Sequence, residues 1–299
     1  MSSLIGASAD RWSLARAVDA LADSARQAGR PGLVWLVGFL YPSMTFGVVP
    51  VPGLFTGYDL DAGSPLALNL LLTTLAGVCL GFVLLPLFRL VAGLARLSPP
   101  EAWREACGTR RTPRMRTLWK SGAGMTLSTL GLWLQLVVMV AGALLLILLP
   151  VELATAPLLA ESGALDPMRW ILAAVLIGPI VLFFASYALA VSVLCQLALH
   201  SLAHNRRGVG SALLHGWRIM RHDPWATTRA VLVDLVLTMT VMLLGGAVSW
   251  IVMVDWLGAI IFVVLTGFAG VARSAYWARA YRALGGLSPD DGVPGLRTA

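Results

Sequence analysis

Two opposite charges sit inside stretches that are otherwise apolar: Asp234, five residues past Arg229, and Arg273, six residues before Arg279. At 1.5 Å per helical residue, each lies roughly 8–9 Å inside the charge that closes its stretch. Ionisable side chains at such depth are costly, so they pair, face an interior or serve a substrate or proton path. A short turn around Asp255 makes the two stretches antiparallel neighbours and brings both charges to one depth. An intramembrane ion pair, Asp234–Arg273, is expected, acting as a clamp between two helices, with a relay or substrate contact as the alternative.

All four histidines fall between positions 200 and 222. His200 and His204 are four apart and share a face if their helix continues. Two histidines so spaced can hold a metal, which ordinarily takes a third or fourth ligand. Histidines at a helix C-terminus also complement its dipole. No metal and no cofactor are expected, His200 and His204 being the weak metal candidates. A third group, Arg104, Arg110, Arg111, Arg114, Arg116 and Lys120, puts six positive charges within 17 residues. At about 1 kcal/mol each near an anionic surface, they can bind lipid headgroups, dock an acidic partner or simply hold their loop inside. Arg89 is expected to snorkel to lipid phosphate. There is no phosphate loop, nucleophile elbow, His-Glu-x-x-His or paired carboxylate in one inner loop, so no enzyme is expected.

These residues hang on six long apolar stretches, at about 32–50, 66–94, 124–149, 170–198, 230–253 and 256–278. A chain that is 58% hydrophobic and 12% charged is not a pair of soluble domains. A hydrocarbon layer of roughly 30 Å takes about 20 apolar residues per helix, and backbone groups in lipid must be satisfied within the segment. The fold class expected is therefore all-α, a polytopic membrane protein. Of 22 basic residues only Arg169 falls on one side of the six spans, facing Asp59, Asp61, Glu152, Glu161, Asp166 and Asp255. The other 21 fall on the opposite side or near the span ends there, which puts both termini in the cytoplasm. The net charge of +7 is thereby explained by topology and an anionic inner leaflet, with no nucleic-acid partner. The first 30 residues lack a short apolar core before a cleavage site, so no secretory signal is expected. Cys79, Cys107 and Cys195 are expected to be packing or surface thiols.

The spans group as three hairpins, each preceded by a short amphipathic helix on the cytoplasmic surface. The first lead-in runs from Asp10 to Pro31, with Trp12, Leu14, Ala17, Val18 and Leu21 on one face. The second runs from Ser98 to Pro113, where Ser98 and Glu101 have capping-box spacing. The third runs from Gly210 to Trp225. The domain plan is an arm over 1–31, a six-helix membrane domain over 32–285 and a flexible tail over 286–299. Gly77 and Gly81, four apart in the second span, are the helix-packing pair. Pro42 is expected to kink the first span, and Pro86 and Pro179 break the hydrogen-bond ladder of the second and fourth. Asn69, Gln135, Gln196 and Thr238 trace no pathway.

Two segments carry a resemblance. Ser211-Ala212-Leu213-Leu214-His215-Gly216-Trp217 precedes the fifth span, and Ala275-Tyr276-Trp277-Ala278-Arg279-Ala280-Tyr281-Arg282 closes the sixth. With the six-span plan they resemble the membrane domain attached to some bacterial glycerophosphodiester phosphodiesterases, and related stand-alone membrane proteins. The resemblance implies a multi-pass protein of the bacterial inner membrane and brings no catalytic residues, because the phosphodiesterase domain is absent. The expected role is a non-enzymatic scaffold or accessory subunit, bound to anionic lipid and to other membrane subunits. The alternative is a permease for lipid or another amphiphile working with a separate ATPase, since the 97–122 loop is placed like the coupling helix of exporter permeases.

Overall fold

The computed structural model describes residues 12–30, 32–46, 71–108 (save 73, 76, 77, 80, 81, 83 and 84), 112–160, 167–251 and 255–286. Every element among them is a helix: α1 (Leu14–Ala28), α2 (Val34–Phe46), α3 (Leu85–Leu97), α4 (Pro100–Cys107), α5 (Met115–Ser121), α6 (Thr126–Ala160), α7 (Pro167–Asn205), α8 (Val209–His222), α9 (Pro224–Ile251) and α10 (Asp255–Ala283). Within the described residues three segments are long and apolar enough to cross a membrane: Thr126–Ile147, Gly178–Asn205 and Ile260–Ala283. They coincide with the third, fourth and sixth expected spans. The described parts of α2, α3 and α9, which carry the other three, do not meet that measure, so three spans rather than six are seen at this level. Hairpin partners do touch: α2 packs on α3, α6 on α7 and α9 on α10.

Local chemistry sets the breaks. Ser13 caps α1, its hydroxyl accepting from the Arg16 amide at 3.3 Å. Asp223 accepts from the Ala226 amide at 2.9 Å, which caps α9 as Pro224 opens it. Arg206, the non-glycine residue with positive φ (51°) among those described, turns the chain out of α7. The capping box expected at Ser98 does not form. Pro99 holds the N-cap position of α4, the Ser98 hydroxyl donates to Leu94 O at 2.7 Å, and Glu101 pairs with Arg282 at 2.8 Å.

The lead-in helices also differ from the expected face. In α1 the buried stripe is Ala17, Ala20, Ser24 and Ala28, packed against α10, while Leu14 and Val18 are exposed. Small side chains bring α1 close to its neighbour, and the larger apolar ones are left for a surrounding apolar phase. In α8, Ala212, His215, Gly216 and Ile219 are buried while Leu214 and Trp217 are exposed. Trp119, Trp217 and Trp225 show much of their rings, whereas Trp12, Trp103, Trp133 and Trp277 are core residues.

Among the described residues burial concentrates in one half of the bundle. In α7 the packed run is Val191 to Ala203, and in α10 it begins at Ala269. Toward the other end, Leu182 and Phe183 of α7, Val236 and Leu243 of α9, and Ile260 of α10 are exposed. Two glycine seams hold the packed half. Where α2 crosses α10, a Cβ on Gly38 would strike the Gly267 carbonyl and one on Gly270 would strike the Gly38 carbonyl. Where α3 meets α5, Gly93 lies on the Leu118 carbonyl and Gly122 on the Arg89 carbonyl. Gly77 and Gly81 lie outside the described residues. Replacing Gly270 or Gly38 by valine is expected to lower stability by about 1–3 kcal/mol or more through forced separation of α2 and α10. Gly142→Ala, at a position with open space around it, is expected to leave thermal unfolding in detergent unchanged.

Candidate functional site: a buried polar seam

Asp234 in the first half of α9 and Arg273 in the second half of α10 lie on apolar stretches where only a paired charge is tolerable. The structure brings Asp234 and Arg273 together as a two-pronged pair. Arg273 Nε donates to Oδ1 at 2.7 Å and to Oδ2 at 2.9 Å, and Nη2 donates to Oδ2 at 2.6 Å. Both residues are 5% exposed. Thr238 returns its hydroxyl to the Asp234 carbonyl at 2.9 Å, and Tyr276 donates to Ala230 O at 3.0 Å. Beside the pair is a cavity of about 30 Å³ lined by Ser192, Gln196, Asp234, Thr238, Arg273 and Trp277. That is room for one water and for no larger guest.

A second set of polar groups continues from the pair along α7 and α10. Tyr41 Oη donates to Gln196 Oε1 at 2.6 Å and lies 3.2 Å from His200 Nε2. Ser274 joins Tyr41 to Ser98, whose hydroxyl is 2.6 Å from that of Ser274. The His200 and His204 rings stack with centroids 5.8 Å apart, and the Tyr281 ring lies 6.3 Å from His204 and 6.0 Å from His215. Asn205 closes the cluster, donating to Tyr281 Oη at 2.9 Å and Gly286 O at 3.0 Å. Ring stacking engages both His200 and His204, and Tyr41 contacts His200. Among the described residues no three His, Cys, Asp or Glu side chains converge to hold a metal.

The basic candidates divide. Arg110 and Arg111 lie outside the described residues. Arg89 is engaged by α5: Nε donates to Trp119 O at 2.8 Å, and the guanidinium carbon sits 4.3 Å from the centre of the Trp119 ring. Arg96 likewise reaches Ser121 O at 3.2 Å. Lys120, with Arg96, Glu105 and His204, lines an open groove of about 640 Å³. Arg114 and Arg116 are exposed on the approach to α5 and on its first turn, and Arg104 is exposed on α4. Where α4 meets α10, Glu101 is held below the ordinary glutamate range. Partial burial pushes it up, but a bond from its own amide and the Arg282 guanidinium outweigh this.

The sequence offered no signal for Tyr41 or Ser274, which are ordinary residues on apolar stretches. Gln196 and His200 had one, being four apart on a single face, and Gln196 and Thr238 prove to be walls of the same cavity. Gln135 is exposed, and Asn69 lies outside the described residues.

No protein-family model, curated protein or solved structure matches the chain.

Removing one member of a buried ion pair strands the other charge, so Asp234→Ala or Arg273→Ala is expected to cost about 3–5 kcal/mol. The double variant Asp234→Leu/Arg273→Leu is expected to recover most of that loss in thermal unfolding. A double variant as unstable as either single change would show that the pair is more than a clamp.

Proposed function

We propose that this chain is a non-enzymatic, six-span protein of the bacterial cytoplasmic membrane, with both termini inside, serving as a scaffold or accessory subunit of a membrane assembly. The observation that carries this reading is the closed interior. Asp234 pairs with Arg273, Tyr41 donates to Gln196 Oε1, and the cavity beside them admits only a water-sized guest. A carrier needs a polar route of substrate width, and the cavity beside the ion pair, among the described residues, is water-sized. A subunit needs packed helices and apolar flanks, which the glycine seams and the exposed halves of α7, α9 and α10 supply. The likeness of the α8 and α10 segments to the membrane domain of glycerophosphodiester phosphodiesterases fits a membrane module without its own chemistry.

The open groove between α3, α4, α5 and α7, with Arg96, Lys120 and His204 on its wall, favours a second reading. In it the chain is a permease for lipid or another amphiphile that receives force from a separate ATPase through the segment ending at Lys120. Purification in mild detergent or nanodiscs, with mass spectrometry of everything retained, separates the two. The subunit reading expects membrane proteins held in fixed stoichiometry. A monodisperse lone chain, with transport lost on neutralising Arg114, Arg116 and Lys120, would overturn it in favour of the permease.

A further inference from the structure

We propose that the groove between α1, α4 and the end of α10 binds a phosphate-ester anion. The groove encloses about 330 Å³ and is lined by Arg26, Arg30, Arg104 and Arg279 against one carboxylate, Asp23, with Trp103 among its walls. That volume is in the lower range of small-ligand sites, about 300–1,000 Å³. The local carboxylates are already engaged. Asp23 pairs with Arg26 at 2.9 Å, and Glu101, on the adjoining turn of α4, pairs with Arg282 at 2.8 Å. Arg104 has no carboxylate partner among the described residues, so the groove retains a positive excess.

Arg279 is fixed in place before any ligand arrives. Its Nη1 donates to the Ser24 hydroxyl and, at 3.4 Å, to Ala275 O, and its Nη2 donates to Gln27 Oε1 at 3.1 Å. Gln27 is itself anchored to Ser98 O at 3.1 Å. Three of the five N–H donors of Arg279 are thus used for positioning, and two remain. The indole of Trp103, 4% exposed, makes a rigid wall beside them. Several guanidinium forks converging from three helices suit the tetrahedral oxygens of a phosphate, which accept paired N–H bonds, better than a lone carboxylate. A phospholipid headgroup and a free phosphate ester share that chemistry. The inference is independent of the subunit reading, since binding is measured on the chain alone.

The test uses the full chain in phosphatidylcholine nanodiscs at one fixed salt concentration, titrated with short-chain phosphatidic acid and, separately, with inorganic phosphate. Saturable binding is expected. Arg30→Gln/Arg104→Gln should weaken it at least tenfold, and Arg104→Lys, which keeps the charge but not the fork, should weaken it clearly. Arg218→Gln, exposed on α8 and outside the groove, should leave it unchanged. Phosphatidic acid binding without inorganic phosphate binding assigns the site to a lipid headgroup, and binding of both assigns it to the phosphate group itself. Absence of saturable binding, or equal losses in the groove variants and Arg218→Gln, would overturn the proposal.

Discussion

In lipid there is little hydrophobic force between helices, so close association must come from backbone approach and from polar contacts. The crossing of α2 and α10 at Gly38, Gly267 and Gly270 meets that constraint, and the other contacts of the packed half follow from it. With these helices in backbone contact, Tyr41 on α2 reaches Gln196 and His200 on α7, and Ser274 on α10 reaches Ser98 just past the end of α3. Trp35, on the same crossing, packs edge-on to Phe268 and donates to Ala28 O at 2.9 Å, which ties the end of α1 to the start of α2. A single oversized side chain here would separate groups that nothing else brings together.

Polar contacts do the rest, in two registers. Deep in the bundle, Asp234–Arg273 joins α9 to α10 and leaves no charge unbalanced. At the charged end, arginines fasten the short helices to the long ones: Arg279 to α1, Arg282 to α4, and Arg89 and Arg96 to α5. Exposed ion pairs of this kind add little stability each. Their value is orientation, because they fix how α1, α4 and α5 lie against the long helices. The three lead-in helices are thus parts of the fold rather than appendages on a surface.

The strongest sequence signals came from periodicity and from charge. All-helical character, the hairpin pairing and the meeting of Asp234 with Arg273 are legible because apolar length, turn length and depth are one-dimensional quantities. Facial detail was not legible. Leu14 and Val18 look like a core stripe by soluble-protein logic, yet alanines and Ser24 are buried, because in a membrane protein the small residues face the protein. Capping-box spacing at Ser98 was a local rule overridden by a tertiary partner, Ser274. Tyr41 and Tyr281 became centres of the polar seam through the approach of helices distant in sequence, which no spacing rule encodes.

The lengths of α6 and α7 have a mechanical meaning. They run for 35 and 39 residues, about 52 and 58 Å at 1.5 Å per residue, against a hydrocarbon layer of roughly 30 Å. The 13 residues from 148 to 160 continue as helix for about 20 Å more. Residues 167–177 open α7 as helix over a comparable length. With its packed half at the opposite end of the molecule, this hairpin is a mast stepped at its foot. A rod held at its foot turns a small tilt there into a large sideways displacement at its tip.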